Sequence, residues 1–310
     1  MIKVSVIIPV FNARESIRKC LESVLNNDYG NFEVILVDDN SNDGTQAVIG
    51  NSIDNRLKIF TEKTNLGPAS ARNRAIKESI GEIILLLDAD SFVGRDWIRR
   101  HAQIIEETGA DIIGGGIEGV SRTIYGRCDA LCSWWTSIPY SRNYYLKGLH
   151  LPTNNMSIKK EVFRKIGYFD EGLRWGEDAD FCYRALKNGI VMYFRSDLVA
   201  RHYERDNFKG FLAHQKKWGR QIMTMRKKRK MAYHYLIPQS EFSLYLCLLP
   251  LSMLFTLFII AKWIRYRPSA VFYLPIIFIG KLTQVLAIRD SLKEINRLKI
   301  PVQASVLRCF

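Results

Sequence analysis

The sequence has no P-loop, and no Gly-x-Gly-x-x-Gly stretch follows its first strands. A nucleotide bound by such a chain cannot rest its phosphates on a glycine cradle; metal and arginine would have to hold them. The cysteines do not form the short-spaced pairs of a zinc site. Cys128 and Cys132 lie four apart with no second pair, and Cys20, Cys182, Cys247 and Cys309 are scattered, as expected of reduced thiols in a reducing compartment. No charged segment precedes a long apolar one at the N-terminus. Residues 3–8 enter a strand at once, so no cleavable signal peptide is expected. Acidic residues are in deficit: 45 Lys and Arg against 31 Asp and Glu leave a net charge of +14. That excess points to an anionic partner. The basic clusters lie in the last third of the chain with its longest apolar run, which favours a membrane surface over nucleic acid.

A chain of 310 residues holds one large domain, or one with an appendage. Its first part alternates regularly. Residues 4–9 read as a buried strand ended by Pro9. Ile17, Cys20, Leu21, Val24 and Leu25 recur at helical spacing. Residues 32–37 form a second strand, Asp43 can cap a helix through Val48, and residues 57–60 form a third strand. Pro68 suits the first position of a helix running to Ser79. Five uninterrupted apolar residues, 83–87, then lead into Asp88-Ala89-Asp90. The alternation predicts a parallel sheet with crossover helices, and its loops gather at the carboxyl edge, where α/β folds bind ligands. Asp88 and Asp90 can face a common point there, and their hard oxygens suit Mg²⁺ or Mn²⁺. Asp is also common in plain turns after strands, so the pair gains weight from its neighbours. A nucleotide site at this edge can draw on Phe11, Asn12, Asp38, Asp39 and Arg72.

Farther on, residues 95–107 read as a helix, and residues 111–117 as a strand whose glycines permit close backbone approach. Residues 119–150 are rich in Tyr and Trp and either line an acceptor groove or pack under a loop. Residues 153–158 read as a strand and 160–166 as a short helix. Trp175-Gly176-Glu177-Asp178-Ala179-Asp180 opens another helix, where the macrodipole alone favours acids. Residues 190–194 and 198–202 read as two short strands.

These motifs resemble, in order, those of family 2 glycosyltransferases with the GT-A fold. The match runs through Val6-Ile7-Ile8-Pro9-Val10-Phe11-Asn12, Val37-Asp38-Asp39-Asn40-Ser41, Asn65-Leu66-Gly67-Pro68, Ala71-Arg72-Asn73 and Leu87-Asp88-Ala89-Asp90. It continues in Asn155, Phe169-Asp170-Glu171 and Gly176-Glu177-Asp178, covering roughly residues 1–205. The resemblance implies an α/β fold of GT-A type, a mostly parallel sheet with helices on both faces. It also implies a nucleotide-sugar donor and inverting transfer. Asp39 would contact the base, with Pro9 and Phe11 lining its pocket and Asp38 and Arg72 on the donor side. Asp88 would lie near ribose or metal, Asp90 would ligate Mg²⁺ or Mn²⁺, and His202 would add a ligand or merely pack. Asp178 would be the catalytic base, with Asn155, Trp175 and Glu177 on the acceptor side. Ala13 departs from the pattern, where many members carry an acid, and weakens the inference for that loop. The residue types suit the chemistry independently: one carboxylate site for a metal that neutralises the departing diphosphate, another for a base.

The last third begins with a helix over 208–231 that ends in the basic run 226–230. Residues 242–261 follow without a charge, long enough to cross a bilayer. A weaker apolar stretch runs from 270 to 288. The expected organisation is a catalytic domain over 1–207, a basic linker over 208–241, one or two spans over 242–290 and a tail over 291–310. A two-span hairpin would keep both ends in the cytosol, with the catalytic domain on the cytoplasmic face of the cell membrane. The expected partners are a nucleotide-sugar such as a UDP-sugar, a lipid-linked glycan or polysaccharide acceptor, and membrane lipids. Two other readings compete. A nucleotidyltransferase would release pyrophosphate and leaves Glu177 and Asp178 without a role; a non-catalytic sugar-nucleotide-binding membrane protein would bind donor without turnover.

Overall fold

Aliphatic runs become the centre of a sheet. β1 (Val4–Val10), β2 (Phe32–Asp38) and β4 (Ile83–Leu86) are buried almost throughout, as strands covered on both faces must be. The computed structural model describes residues 1–50, 52, 54–148, 150–229 and 241–297, with backbone alone for 224–229, 241, 243, 244 and 294–297. The first three strands and β3 (Leu57–Thr61) pair in parallel in the order β3-β2-β1-β4. α1 (Ile17–Leu25), α2 (Thr45–Gly50) and α3 (Pro68–Glu78) connect them. Alternate residues of β1 enter two cores: Val4, Val6 and Ile8 pack with Ile17, Leu21 and Val24 of α1. Ile7 packs with Ala69, Ala75 and Ile76 of α3. The sheet therefore carries helices on both faces.

Past β4 the strands change sense. β8 (Met156–Lys159) runs antiparallel between β4 and β6 (Ile112–Val120), and β9 (Met192–Tyr203) lies parallel to β6. β5 (Ser91–Val93) and β7 (Tyr144–Tyr145) pair antiparallel with β9. The α/β class holds, and the sheet is mixed, because β8 runs antiparallel to both of its neighbours. The two short strands expected over 190–202 are one strand, whose pairing shifts register between Gly115 and Gly116. A Cβ on Gly115 would collide with Asn155 Nδ2 and the Leu198 carbonyl, so β6 depends on glycine there. Four further helices complete the elements seen so far: α4 (Trp97–Thr108), α5 (Ile124–Ser133), α6 (Lys160–Ile166) and α7 (Glu177–Lys187).

The chain divides into two compact units. Residues 1–122 and 133–204 form the sheet unit; residues 123–132 and the described part of 205–310 form the second. The second is helical: most of α5, then α8 (Phe208–Arg229), α9 (Glu241–Leu246), α10 (Leu248–Trp263) and α11 (Leu274–Arg297). Its apolar core joins Met223, Leu251, Val285, Ile288 and Leu292. The uncharged run 242–261 is not one helix. It breaks at Cys247, where Pro250 has no N–H to offer the Leu246 carbonyl. The helix over Pro268–Lys293 is the one described helix long and apolar enough to cross a membrane. Most of the expected linker after 229, Lys230 of the basic run, the last residues of the tail and Cys309 lie outside the described residues.

Candidate active site

Asp88 follows β4, and Asp90 leads into β5. Ser91 N–H donates to the Asp88 carbonyl (3.0 Å) and Tyr203 N–H to the Asp90 carbonyl (2.9 Å), which fixes the turn between them. The β5–β9 ladder sets Ser91 opposite His202. It thereby brings His202 Nε2 to 3.3 Å from Asp90 Oδ1, with the imidazole buried and the carboxylate 42% exposed. On the other side of the ring, His202 Nδ1 lies 3.1 Å from Glu204 Oε1. That oxygen also accepts from Trp134 Nε1 at 2.5 Å, while Glu204 Oε2 is buried with no hydrogen-bond partner among the described residues. Burial opposes a charged imidazole, yet the Asp90 and Glu204 carboxylates outweigh it and raise the His202 pKa well above its usual value. Glu204 escaped the sequence reading, and Trp134 entered it only within the aromatic-rich stretch 119–150. Glu204 was legible in part, because a residue two beyond His202 in an extended chain shares its face.

These residues fit a divalent cation in part. Adjacent ligands of a six-coordinate Mg²⁺ or Mn²⁺ stand about 3 Å apart, close to the Asp90–His202 separation. Asp88 has turned aside: its Oδ1 accepts from Arg72 Nη2 at 2.7 Å. Among the described residues no group of three or more His, Cys, Asp or Glu side chains converges as a metal cage. Ions of this kind commonly take one or two protein carboxylates and complete their shell with phosphates and water.

Arg72 is the centre of the second half of the site. It is buried on α3; Nη1 donates to Glu177 Oε1 and Nη2 to Asp88 Oδ1, both at 2.7 Å. One guanidinium thus joins the tip of β4 to the first turn of α7. Burial opposes its charge, but the Asp88 and Glu177 carboxylates outweigh that and push its pKa higher still. Burial and the neighbouring Asp178 push Glu177 up to about 7 against the pull of Arg72. Glu177 thus clamps α7 to α3 through Arg72. Next to Arg72, Asn73 Nδ2 donates to the Phe169 carbonyl and Glu171 Oε1, both 2.8 Å, and its Oδ1 accepts from Phe169 N–H. Two consecutive residues of α3 thus hold the later chain in place.

Asp178 lies beside that clamp in the first turn of α7, after Gly176 with φ 81°. Its Oδ1 accepts from Ala179 N–H at 2.7 Å. Oδ2 is 4.0 Å from His150 Nε2, and the side chain keeps 18% of its surface exposed. Trp175, just before the helix, is exposed. Asn155, expected on the acceptor side, lies inside the fold. It is buried; its amide donates to the Gly116 and Leu198 carbonyls and accepts from Trp97 Nε1 at 2.9 Å, with His101 Nε2 at 3.1 Å. With both donors and both lone pairs taken, it stitches the sheet to α4 and has nothing to offer a ligand.

On the donor side, Phe11 is exposed at the end of β1, with Pro9 half-buried. Asn12 takes φ 51°; its N–H donates to Ser41 Oγ and its Oδ1 accepts from Asn42 N–H, both 2.9 Å. Asp38 accepts from Ser41 and Gln46 and so shapes its own loop. Asp39 accepts from Leu66 N–H and Gly67 N–H, both 2.8 Å, and sets the loop that opens α3.

Comparison with known proteins bears on the family and the fold. The sequence profile of "Glycosyl transferase family 2" matches residues 5–167. The chain is 32% identical over 210 residues to glycosyltransferase AglE of Haloferax volcanii, 65% of this chain and 67% of that one. It spans 40% and 62% of the length of two further relatives. Its fold is similar to that of mannosyltransferase PcManGT from Pyrobaculum calidifontis, solved with GDP-Man and Mn²⁺, with a TM-score of 0.63 and 18% identity over 97% of this chain and 88% of that one. It is also similar to Staphylococcus aureus TarS 1–349 in complex with UDP-GlcNAc, with a TM-score of 0.53 and 19% identity over 96% and 92% of the two chains.

Proposed function

The chain belongs to glycosyl transferase family 2, and from that premise we propose that it moves a sugar from a nucleotide-sugar to an acceptor hydroxyl with inversion. The observation that carries this reading is the Arg72 bridge, which ties the acidic turn bearing Asp178 to the strand tip bearing Asp88. Two separate acidic functions then serve one cleft. Asp178 takes the proton from the acceptor hydroxyl as that oxygen attacks the anomeric carbon and the bond to the diphosphate breaks. Asp90 and His202 would hold Mg²⁺ or Mn²⁺, with Asp88 close by; the ion's contribution is to offset charge on the departing diphosphate. Pro9, Phe11 and the loop set by Asp39 flank the nucleotide base. The Mn²⁺ of PcManGT and the UDP-GlcNAc of TarS support a metal-dependent enzyme, and we assign a UDP-sugar as donor. The acceptor is a lipid-linked glycan or polysaccharide, reached with the catalytic unit on the cytoplasmic side of the membrane.

The test is nucleoside diphosphate release by two variants. Asp178→Asn is expected to lose about 10²–10⁴ in kcat with donor affinity kept. Asp90→Ala is expected to lose the stimulation by Mn²⁺. Full activity of both variants would contradict the assignment.

A further inference from the structure

We propose that the second unit lies in one leaflet of an anionic membrane, inserting the outer face of α10 and the turn into α11, and that the chain does not cross the bilayer. Positions 242–279 hold more exposed large apolar side chains than all the other described residues together. α10 is apolar on its outer face as well as its inner one. Leu249, Met253, Leu254, Leu257 and Phe258 face outward. Ser252 and Thr256 are buried, their hydroxyls donating to the Leu248 and Ser252 carbonyls at 2.6 and 2.8 Å. A water-facing helix turns its polar residues out, and a continuous apolar face of this extent marks an interaction surface.

Charge identifies the occupant. Residues 242–289 contain no Asp or Glu. Lys262 and Arg265 are exposed where α10 ends, with Ile264 and Tyr266 exposed between and beside them. Phe272 follows as the most exposed aromatic of the next turn. Basic residues beside apolar and aromatic side chains match the boundary of headgroups and acyl chains in an anionic leaflet.

Packing decides against a crossing. The 16 residues of α10 extend about 24 Å, short of a hydrocarbon core of about 30 Å. α11 is long enough, but α8 lies along it. Phe211 meets Gly280, Gln215 Oε1 accepts from Lys281 Nζ at 3.0 Å, Gly219 meets the Gln284 carbonyl, and Met223 packs with Val285 and Ile288. α8 carries Lys209, Lys216 and Arg220 on its exposed side. Passing α11 through hydrocarbon would carry those charges with it, at heavy cost. The apolar outer face of α11 ends at Ile279, leaving a segment that fits a wedge roughly 5–10 Å deep and no more. This proposal concerns the second unit alone and stands whichever sugar the sheet unit transfers.

Flotation of the purified full chain with phosphatidylcholine vesicles, with and without phosphatidylglycerol, reads the affinity. Co-flotation is expected with the anionic vesicles and is weakened by salt. Lys262→Glu with Arg265→Glu should lower that binding by about tenfold or more, and Leu254→Asp with Phe258→Asp should abolish it while circular dichroism stays unchanged. Sidedness is read in bacterial spheroplasts expressing the chain. Ser269→Cys should resist an impermeant maleimide added outside and react once detergent opens the membrane, against the unmodified chain as baseline. Labelling from outside would establish a crossing and overturn the proposal. So would failure to float with either vesicle, or a lipid-free dimer that covers the face.

Discussion

At the scale of single residues, the site is built from pairs in which one side chain fixes another. Glu204 is fully buried and touches no expected position of donor or acceptor, yet it holds His202 by Nδ1 while Asp90 faces Nε2. A carboxylate behind a ligating histidine fixes the orientation and basicity of the ring. Glu204→Gln is therefore expected to weaken Mn²⁺ binding about 10–100-fold, read by electron paramagnetic resonance titration of the free ion. Unchanged affinity would mean that His202 is not a ligand or is not held through Glu204. Residue types announced Asp88 and Asp90 because a strand tip with alternate carboxylates is a local pattern. Asn155 shows only its polarity in the sequence, whereas the convergence of Trp97, His101 and two carbonyls on it is made by three distant segments. The Glu177 clamp was hidden for the same reason: its partner Arg72 lies 105 residues away.

At the scale of elements, the sheet is placed by a few close approaches. Gly115→Ala should cost about 3 kcal/mol, since backbone and the Asn155 amide both stand where the methyl would go. Chemical denaturation of the sheet unit within the full chain reads this; a wild-type midpoint would show that β6 can shift away. Glu33 of β2 ties β1 to the start of β4. It accepts from Ser5 Oγ at 2.6 Å and from Ile80 N–H and Lys58 Nζ at 2.8 Å. Burial works to raise its pKa, but the Ile80 amide, Lys58 and Ser5 together hold it below the ordinary carboxyl value. A depressed folded-state pKa contributes stability above the unfolded value and loses it as pH falls through the folded one. Glu33→Gln should thus cost about 1–3 kcal/mol at neutral pH, and the difference should fade in acid below the carboxyl range. A difference independent of pH would contradict this role. The parallel half of the sheet was legible because its strands are unbroken apolar runs separated by helical periodicity. The later half was not, since an antiparallel return through residues 146–155 and a register shift at Gly115 leave no periodic mark. The break in the run 242–261 follows from Pro250, whose presence was visible but whose effect depended on the missing partner of one carbonyl.

At the scale of the molecule, the excess of basic residues and the apolar C-terminal third fall in the second, helical unit. The inclusion of residues 123–132 in that unit could not be read from a segment without clear periodicity. Net charge and hydropathy are the same for a helix that lies along a membrane and for one that passes through it. The sheet unit carries the family's motifs in order, and the account rests on their acting together on a sugar nucleotide. The most direct measurement is product release from a panel of nucleotide-sugars by the full chain with membrane acceptor, in Mn²⁺ or Mg²⁺ and again in EDTA. The account predicts that one donor, a UDP-sugar, yields nucleoside diphosphate and that chelation stops the reaction. Release of pyrophosphate, or turnover undiminished by EDTA, would contradict it.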